Sequence, residues 1–123
     1  MPQKTILVIE DDVDALALYR DQLEDEGYRV FPSESGVMAM LILDREKVDL
    51  ILTDIKMPDV DVKYLLSHLN LHFPRIPILI ATAYPDYESL KDNHKNVKGF
   101  FVKPVNMVEL CETIKALIKN HSS

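Results

Sequence analysis

Three apolar stretches of this chain end in charged residues that together could form one reaction site. Residues 6–9 are followed by Glu10, Asp11 and Asp12, residues 50–53 by Asp54, and residues 100–102 by Lys103. Strands buried in a parallel sheet read as continuous apolar runs, and ligands of such sheets bind outside the carboxyl ends of the strands. Carboxylates and an ammonium group at the carboxyl ends of these strands predict a pocket that binds a cation and takes part in phosphoryl chemistry.

The chemistry predicted for this pocket centres on Asp54. A carboxylate can attack a phosphoryl group and form an acyl phosphate, and a divalent cation neutralises the charge that opposes its approach to an anionic donor. Mg²⁺ prefers one or two carboxylates together with waters and phosphate oxygens. We expect Asp11 and Asp54 to be direct ligands and Glu10 to act through a water. Repulsion within the cluster should raise at least one carboxyl pKa.

The first acidic run and Lys103 each have a second interpretation. The three acids at positions 10–12 could exchange roles, or could merely favour the positive start of a helix, which suits Asp12 best. Lys103 could be a solvated surface lysine, but the apolar strand before it and Pro104 behind it favour a buried role. In that role it pairs with Asp54 at rest and later contacts a phosphate oxygen.

The rest of the chain alternates between strand and helix patterns. Strands are predicted at residues 6–9, 28–31, 49–53 and 78–81, with a fifth after Gly99. Helices are predicted at residues 12–26, after a cap at Ser33 or Ser35, after Pro58, weakly at 86–96, and after a cap at Asn106. Five strand–helix units imply a parallel sheet with helices on both faces and right-handed crossovers.

Apolar spacing predicts which side of each helix is buried. The predicted faces, in helix order, are Val13, Leu16, Ala17 and Leu23; Met38, Leu41 and Ile42; Val62, Leu65, Leu66 and Leu69; Tyr87 and Leu90; and Leu110, Ile114, Leu117 and Ile118, ending at about Asn120. Gly27 is predicted to adopt the left-handed conformation that closes a helix. Pro32 is predicted to end the second strand.

Composition limits the class of protein. With 123 residues, 47% hydrophobic and 28% charged, the chain is expected to form one globular domain. Its net charge of −6 argues against direct nucleic-acid binding. The one cysteine, Cys111, excludes an internal disulfide and fits a reducing compartment. Without a long apolar run or a signal peptide, we expect a cytoplasmic protein that does not bind membranes.

Four motifs lie at the ends of predicted strands and match one family pattern in order. They are Glu10-Asp11-Asp12, Thr53-Asp54-Ile55-Lys56-Met57-Pro58, Ala81-Thr82-Ala83 and Phe101-Val102-Lys103-Pro104. Together they closely resemble the receiver domain (CheY-like) of bacterial two-component response regulators, from about Thr5 to the end of the last helix. The resemblance implies a flavodoxin-like α/β fold, with a doubly wound five-stranded parallel sheet of strand order 2-1-3-4-5. It also implies a single receiver domain over residues 1–123.

The resemblance further implies a function. A sensor histidine kinase or a histidine phosphotransfer protein would pass a phosphoryl group from phosphohistidine to Asp54. Mg²⁺ would be held by Glu10, Asp11, Asp54 and the backbone carbonyl of Lys56. The domain would not be a conventional enzyme, although it would assist phosphorylation and dephosphorylation of its own aspartate. The fourth helix, fifth strand and fifth helix would form the surface that acts on a downstream protein or effector domain, or that forms a homodimer.

Two switch positions and one peptide bond are assigned through the resemblance. Thr82 would donate its hydroxyl to a phosphoryl oxygen, and the Phe100 ring would rotate into the space that Thr82 leaves. The alternatives are an ordinary β-branched strand residue and a core phenylalanine. The Lys103-Pro104 bond is expected to be cis.

Some positions depart from the family pattern. Val62 follows Asp61 where the family usually has glycine, so the backbone beside the acceptor is less free to take positive φ. Residues 97–99 replace the usual Gly-Ala pair before the last strand. Lys56 and Tyr84 each lie two residues beyond a key position and border the path of attacking water. We predict that Tyr84 slows hydrolysis of the acyl phosphate.

Two other functions share this fold. One is a receiver-like module that binds partners without phosphate, and the other is a flavodoxin-like FMN-binding protein. FMN would need a phosphate loop rich in Ser, Thr or Gly where this chain has acids at positions 10–12. His68 and His72 have a spacing that can hold a transition metal, but no third ligand is evident and a solvated helix face is the preferred interpretation.

Overall fold

A computed structural model describes residues 3–119, which form one five-stranded sheet with helices on both faces. The strands are β1 (Thr5–Ile9), β2 (Arg29–Ser33), β3 (Leu50–Thr53), β4 (Ile78–Thr82) and β5 (Val97–Val102). The helices are α1 (Val13–Asp25), α2 (Gly36–Arg45), α3 (Val62–His72), α4 (Leu90–Asn93) and α5 (Met107–Leu117), with a 3₁₀ turn at Pro85–Tyr87. Neighbouring strands are parallel in the order β2-β1-β3-β4-β5. The predicted fold class and strand order are confirmed.

The central strands are apolar on both faces because different helices cover each face. Leu7, Ile9 and Ile51 belong to a core cluster that includes residues of α2, α3 and α4. Ile6 and Val8 belong to a second cluster, with residues of α1 and α5. Strands covered in this way have no solvated face for a charged side chain. Charged groups therefore begin where these strands end.

The register places those strand ends side by side. Ile9 of β1 pairs with Thr53 of β3, and Thr82 of β4 pairs with the last residue of β5. The backbone pairing extends one residue further, because the Asp54 amide donates to the Ile9 carbonyl at 3.0 Å and the Lys103 amide donates to the Thr82 carbonyl at 2.7 Å. The residues that follow β1 and β3 are thus neighbours, as are those that follow β4 and β5, and all of them lie at the carboxyl ends of the strands.

The buried face of α1 differs in part from the prediction. Leu16, Tyr19 and Leu23 are buried, whereas Val13 and Ala17 are exposed. Residues at i, i+3 and i+7 share one side of a helix, and Tyr19 completes that spacing between the two leucines. Ala17 is one residue away from Leu16 and is therefore rotated off the face.

The buried face of α2 was predicted wrongly at Met38 and Leu41, whereas Ile42 is partly buried and packs against the core as predicted. Gly36, Ala39 and Leu43 are buried, while Met38 and Leu41 are about half exposed. Residues 36–43 are glycine or apolar at every position, so spacing alone could not select a side. The faces predicted for α3 are confirmed, because all four residues are buried, and those predicted for α5 are confirmed at Leu110 and Ile114.

Pro32 does not end β2, because the strand continues to Ser33. β2 is an edge strand that pairs only with β1. The Arg29 amide donates to the Lys4 carbonyl of the neighbouring chain segment, and amides of alternate strand residues point to the same side. The nitrogen of Pro32 therefore faces away from β1, where its missing hydrogen costs no ladder bond.

Several smaller boundaries also differ. β5 begins at Val97 instead of after Gly99, and α5 ends at Leu117, whereas the predicted end at Asn120 lies outside the described residues. In the weakly predicted fourth helix Leu90 is buried as expected, but Tyr87 belongs to the 3₁₀ turn and is exposed. Gly27 has a φ of 96°, so the predicted left-handed residue after α1 is confirmed.

Replacing Gly27 tests that turn. A Cβ at positive φ is strained, so Gly27→Ala should lower the free energy of unfolding by about 1 kcal/mol. Gly27→Asn should lose less, because asparagine tolerates this conformation better than alanine. Urea unfolding of both variants measures the difference, and an alanine variant as stable as the wild type would contradict the assignment.

Candidate functional site

Asp54 directly follows β3 and is nearly buried, with 9% of its surface exposed. Its Oδ1 accepts hydrogen bonds from the amides of Ile55 at 2.6 Å and Lys56 at 3.4 Å. Its Oδ2 accepts a hydrogen bond from the Lys103 ammonium at 3.0 Å. Backbone amides of the loop therefore hold one carboxylate oxygen of Asp54. The side chain of Lys103, which follows β5, holds the other.

Glu10 follows β1 and is more deeply buried, with 2% of its surface exposed. It accepts hydrogen bonds from Lys103 Nζ at 2.6 Å and from the amide of Asp12 at 3.1 Å. Burial raises the pKa of Glu10, although both of these hydrogen bonds oppose the rise. The predicted rise in a carboxyl pKa is confirmed here, but desolvation is its main cause and the charge of Asp54 makes only a small contribution.

Lys103 joins the two carboxylates. Burial alone would lower its pKa, but the hydrogen bonds to Glu10 and Asp54 and the two negative charges together raise it above the ordinary value of 10.5. The ammonium is therefore fully charged at neutral pH. The bond from Lys103 to Pro104 is cis, as expected, and the alternative of a solvated surface lysine is excluded by these contacts.

Asp11 completes an oxygen cluster with Glu10 and Asp54. One carboxylate oxygen from each of the three residues lies within 4.8 Å of the other two. Asp11 is exposed, so the cluster opens to solvent on its side. Hard oxygen donors at this spacing fit Mg²⁺. The structure therefore brings together the residues that the sequence predicted to converge.

Asp12 has a different role. Its Oδ1 accepts hydrogen bonds from the amides of Asp14 at 2.9 Å and Ala15 at 3.1 Å, and so caps α1. Asp12 is not part of the oxygen cluster. The interpretation that Asp12 favours the start of the first helix is confirmed.

Thr82 and Tyr84 connect the end of β4 to the pocket. The Thr82 side chain is buried, and its hydroxyl accepts a hydrogen bond from the Tyr84 amide at 3.1 Å. The Tyr84 ring is half exposed and lies under the ammonium of Lys56, which is 4.6 Å from the ring centroid. This cation–π pair spans the ends of β3 and β4. Its two members were predicted to border the pocket, but their contact was not predicted.

Phe100 lies on β5 and is half-buried. It packs against the core cluster that contains Ile80 and Leu90. Both of its predicted roles, core residue and switch aromatic, are compatible with this position.

The loop between Asp54 and α3 needs no glycine. Asp61 caps α3 by accepting a hydrogen bond from the Lys63 amide at 2.8 Å, and Val62 is the first helical residue. Within residues 3–119 no residue other than glycine has positive φ. Sequence reasoning missed Asp59 in this loop, whose carboxylate binds the start of α2.

The second predicted metal candidate is not supported by further ligands. His68 and His72 are adjacent on α3, with ring centroids 4.5 Å apart. Among the described residues, the acids of the oxygen cluster are the one group of three or more potential ligand side chains close enough to share an ion. The preferred interpretation of the histidine pair as part of a solvated helix face therefore stands.

Comparison with known protein families identifies the family of this chain. The family model described as the response regulator receiver domain matches residues 6–115. The chain belongs to this family. The match begins within β1 and ends within α5, so it includes every residue of the pocket described above. Two-component signalling is thus the class of function of this receiver domain.

Relatives of this receiver domain differ in overall length. Transcriptional regulatory protein GlrR of Escherichia coli (strain K12) is 33% identical over 110 residues, which are 89% of this chain and 25% of that protein. Sporulation initiation phosphotransferase F of Bacillus subtilis (strain 168) is 27% identical over 116 residues, which are 94% of each chain. The chain therefore spans about a quarter of the first relative and nearly all of the second.

A solved structure gives the same fold. Response regulator protein TrrA from Thermotoga maritima, in complex with Mg²⁺-BeF, superimposes with a TM-score of 0.85 at 29% identity, covering 94% of this chain and 99% of that one. In the part of the chain that the structure describes, no helix is both long and apolar enough to span a membrane.

Removing the Lys103 charge tests the electrostatics of the pocket. Because the pKa of Lys103 is raised on folding, its stabilising contribution is complete at neutral pH and is lost only in strongly alkaline solution. Lys103→Met should therefore lower the free energy of unfolding at pH 7 by about 3–5 kcal/mol, since it leaves two buried carboxylates without their cation. Urea unfolding measures this loss.

The matched control is Lys91→Met. Lys91 bonds Glu88 at 3.1 Å in an exposed ion pair, and such pairs contribute about 0–1 kcal/mol. Equal losses in the two variants would show that the pocket does not depend on the Lys103 charge.

Proposed function

We propose that this receiver domain accepts a phosphoryl group on Asp54 from a phosphohistidine of a sensor histidine kinase or histidine phosphotransfer protein. The observation that carries the proposal is the Lys103 ammonium, which bonds both Glu10 and Asp54 beside the oxygen cluster. A pocket with three acids and one compensating cation attracts a metal ion and can still accept the negative charge of a phosphoryl group.

Asp11, Asp54 and Glu10 would hold Mg²⁺, and the Lys56 carbonyl would complete the protein ligands. When bound, the ion neutralises charge on the phosphoryl oxygens. The fit rests on the oxygen spacing of 4.8 Å or less. TrrA, which carries Mg²⁺-BeF in its solved structure, is a relative in which such a group has been seen.

The chain's own residues position the reaction. The Ile55 amide fixes Oδ1 of Asp54, and we assign Oδ2, the oxygen that the Lys103 side chain contacts, as the nucleophile. A bond forms between Oδ2 and phosphorus while the phosphorus–nitrogen bond of the donor breaks, and the leaving imidazole takes a proton from solvent. Lys103, which holds Oδ2 at rest, then contacts a phosphoryl oxygen.

The response to phosphorylation would begin at Thr82. Its hydroxyl accepts a hydrogen bond from the Tyr84 amide at rest and would donate its own hydrogen to a phosphoryl oxygen, which would draw the side chain toward the pocket. Phe100 would follow into the vacated space, and the surface formed by α4, β5 and α5 would change shape. A phosphoryl group shifts this equilibrium only by binding one arrangement better than the other. Downstream proteins, effector domains or a second copy of the chain would recognise that surface.

Treatment with acetyl phosphate and Mg²⁺ tests the acceptor. Intact mass spectrometry should show one phosphoryl adduct in the wild type and none in Asp54→Ala or in the presence of a chelator. Asp12→Ala is the matched control, because Asp12 lies close by but caps α1, and it should keep the adduct. An adduct that persists in Asp54→Ala would refute the assignment.

Tyr84→Ala tests the predicted slowing of hydrolysis. The change removes the cation–π contact between the Lys56 ammonium and the Tyr84 ring. If this contact stabilises the phosphorylated ground state by about 0.5–1 kcal/mol, it lengthens the half-life of the acyl phosphate by roughly two- to fivefold. The variant should therefore lose phosphate faster by the same factor. Tyr87→Ala, which alters an exposed tyrosine of the 3₁₀ turn, should match the wild type. Unchanged decay in Tyr84→Ala would contradict the prediction.

A further inference from the structure

The loop that carries the acceptor is attached to a helix distant in sequence. One end of the loop is fixed where Asp54 leaves β3, and the other where Asp61 caps α3. Residues 54–61 contain no glycine, so the loop cannot reach its shape through a freely rotating backbone. A contact outside the loop is therefore well placed to set its conformation.

Asp59 provides the first such contact. Its Oδ1 accepts a hydrogen bond from the Gly36 amide and its Oδ2 from the Val37 amide, each at 3.0 Å. These are the first two amides of α2, which have no partner within the helix. Ser35 already caps the same helix by accepting from the Met38 amide at 3.1 Å. The amides of Val37 and then Gly36 lower the pKa of Asp59, so its carboxylate is charged at neutral pH.

Val60 provides the second contact. A Cβ atom added to Gly36 would lie 2.8 Å from both Cβ and Cγ2 of Val60, which is closer than such atoms approach. Only glycine at position 36 lets α2 come this near the loop. The two hydrogen bonds of Asp59 and the close packing of Val60 thus hold these adjacent loop residues against the first turn of α2. We call the two Asp59 hydrogen bonds the Asp59 clamp.

We propose that Asp59 is a positioning residue that sets the acceptor loop for Mg²⁺ binding. The proposal rests on the proposed function, because it assumes that the Lys56 carbonyl and Asp54 serve as ligands. Lys56 lies between Asp54 and Asp59, and its amide bonds Asp54 Oδ1 at 3.4 Å. With Asp59 tied to α2, the short segment 55–58 has both ends fixed, and the Lys56 carbonyl is held in place.

The test uses the full chain and the Mg²⁺ concentration that gives half-maximal adduct formation with acetyl phosphate. Groups that orient metal ligands directly change affinity by about 10–100-fold, and Asp59 acts one step further away. Asp59→Ala should therefore raise the half-saturating Mg²⁺ concentration by roughly three- to tenfold. The rate at saturating Mg²⁺ should change by less than about twofold, because the reacting groups themselves are untouched.

Two variants distinguish positioning from charge and from a general loss of stability. Asp59→Asn keeps an oxygen that can accept from one amide but removes the charge, so it should recover at least half of the lost affinity on a logarithmic scale. Gly36→Ala should shift the half-saturating concentration in the same direction as Asp59→Ala, by displacing Val60.

The matched control is Asp49→Ala. The Asp49 carboxylate also accepts a backbone hydrogen bond from a distant segment, the Thr5 amide at 2.8 Å, but it lies at the amino ends of the strands, opposite the pocket. Its loss should lower the unfolding midpoint without changing the Mg²⁺ dependence. If Asp59→Ala leaves the Mg²⁺ dependence unchanged, or changes it no more than Asp49→Ala does, the positioning role is wrong.

Isothermal titration with Mg²⁺ alone separates this proposal from the proposed function. A wild type that binds Mg²⁺ but forms no adduct would refute phosphoryl transfer, and the affinities of the Asp59 variants would still decide the positioning role. A wild type that binds no Mg²⁺ would overturn both.

Discussion

The pocket depends on one buried cation that compensates two buried acids. Glu10 and Asp54 extend the central strands β1 and β3, whose apolar faces are covered by helices, so their carboxylates have little access to water. Without a positive partner, two such charges would oppose folding and each other. Lys103, which follows β5 at the same end of the sheet, supplies that partner at 2.6 and 3.0 Å. The strand order that joins these three ends therefore permits the acid cluster to exist.

The compensation leaves the pocket prepared for exchange of partners. Lys103 is bound to two carboxylates, and the Thr82 hydroxyl accepts a hydrogen bond from one amide, so the groups that the proposal brings to a phosphoryl oxygen are already held at the strand ends. These resting contacts keep the polar groups satisfied and oriented at the strand ends.

The sequence was sufficient for the parts of the fold that one strong pattern determines. Continuous apolar runs predicted the strands, and regular apolar spacing predicted the buried face of α3. The charged residues that follow those runs predicted the convergence of Asp11, Asp54 and Lys103. The strand order came from the family resemblance. The face of α2 did not follow, because its first two turns are apolar on every side. The Lys56–Tyr84 contact and the Asp59 clamp join residues far apart in sequence, and no local pattern signals such a contact before the strand order is known.

The proline within β2 has a consequence for how the sheet meets other molecules. An exposed edge strand is a template on which another extended chain can pair and aggregate. Because the Pro32 nitrogen faces outward and carries no hydrogen, an incoming strand would find a gap in the row of donors and a rigid ring in its way. The β2 margin is thus protected against unwanted association by a single imino acid, at no expense to the pairing with β1.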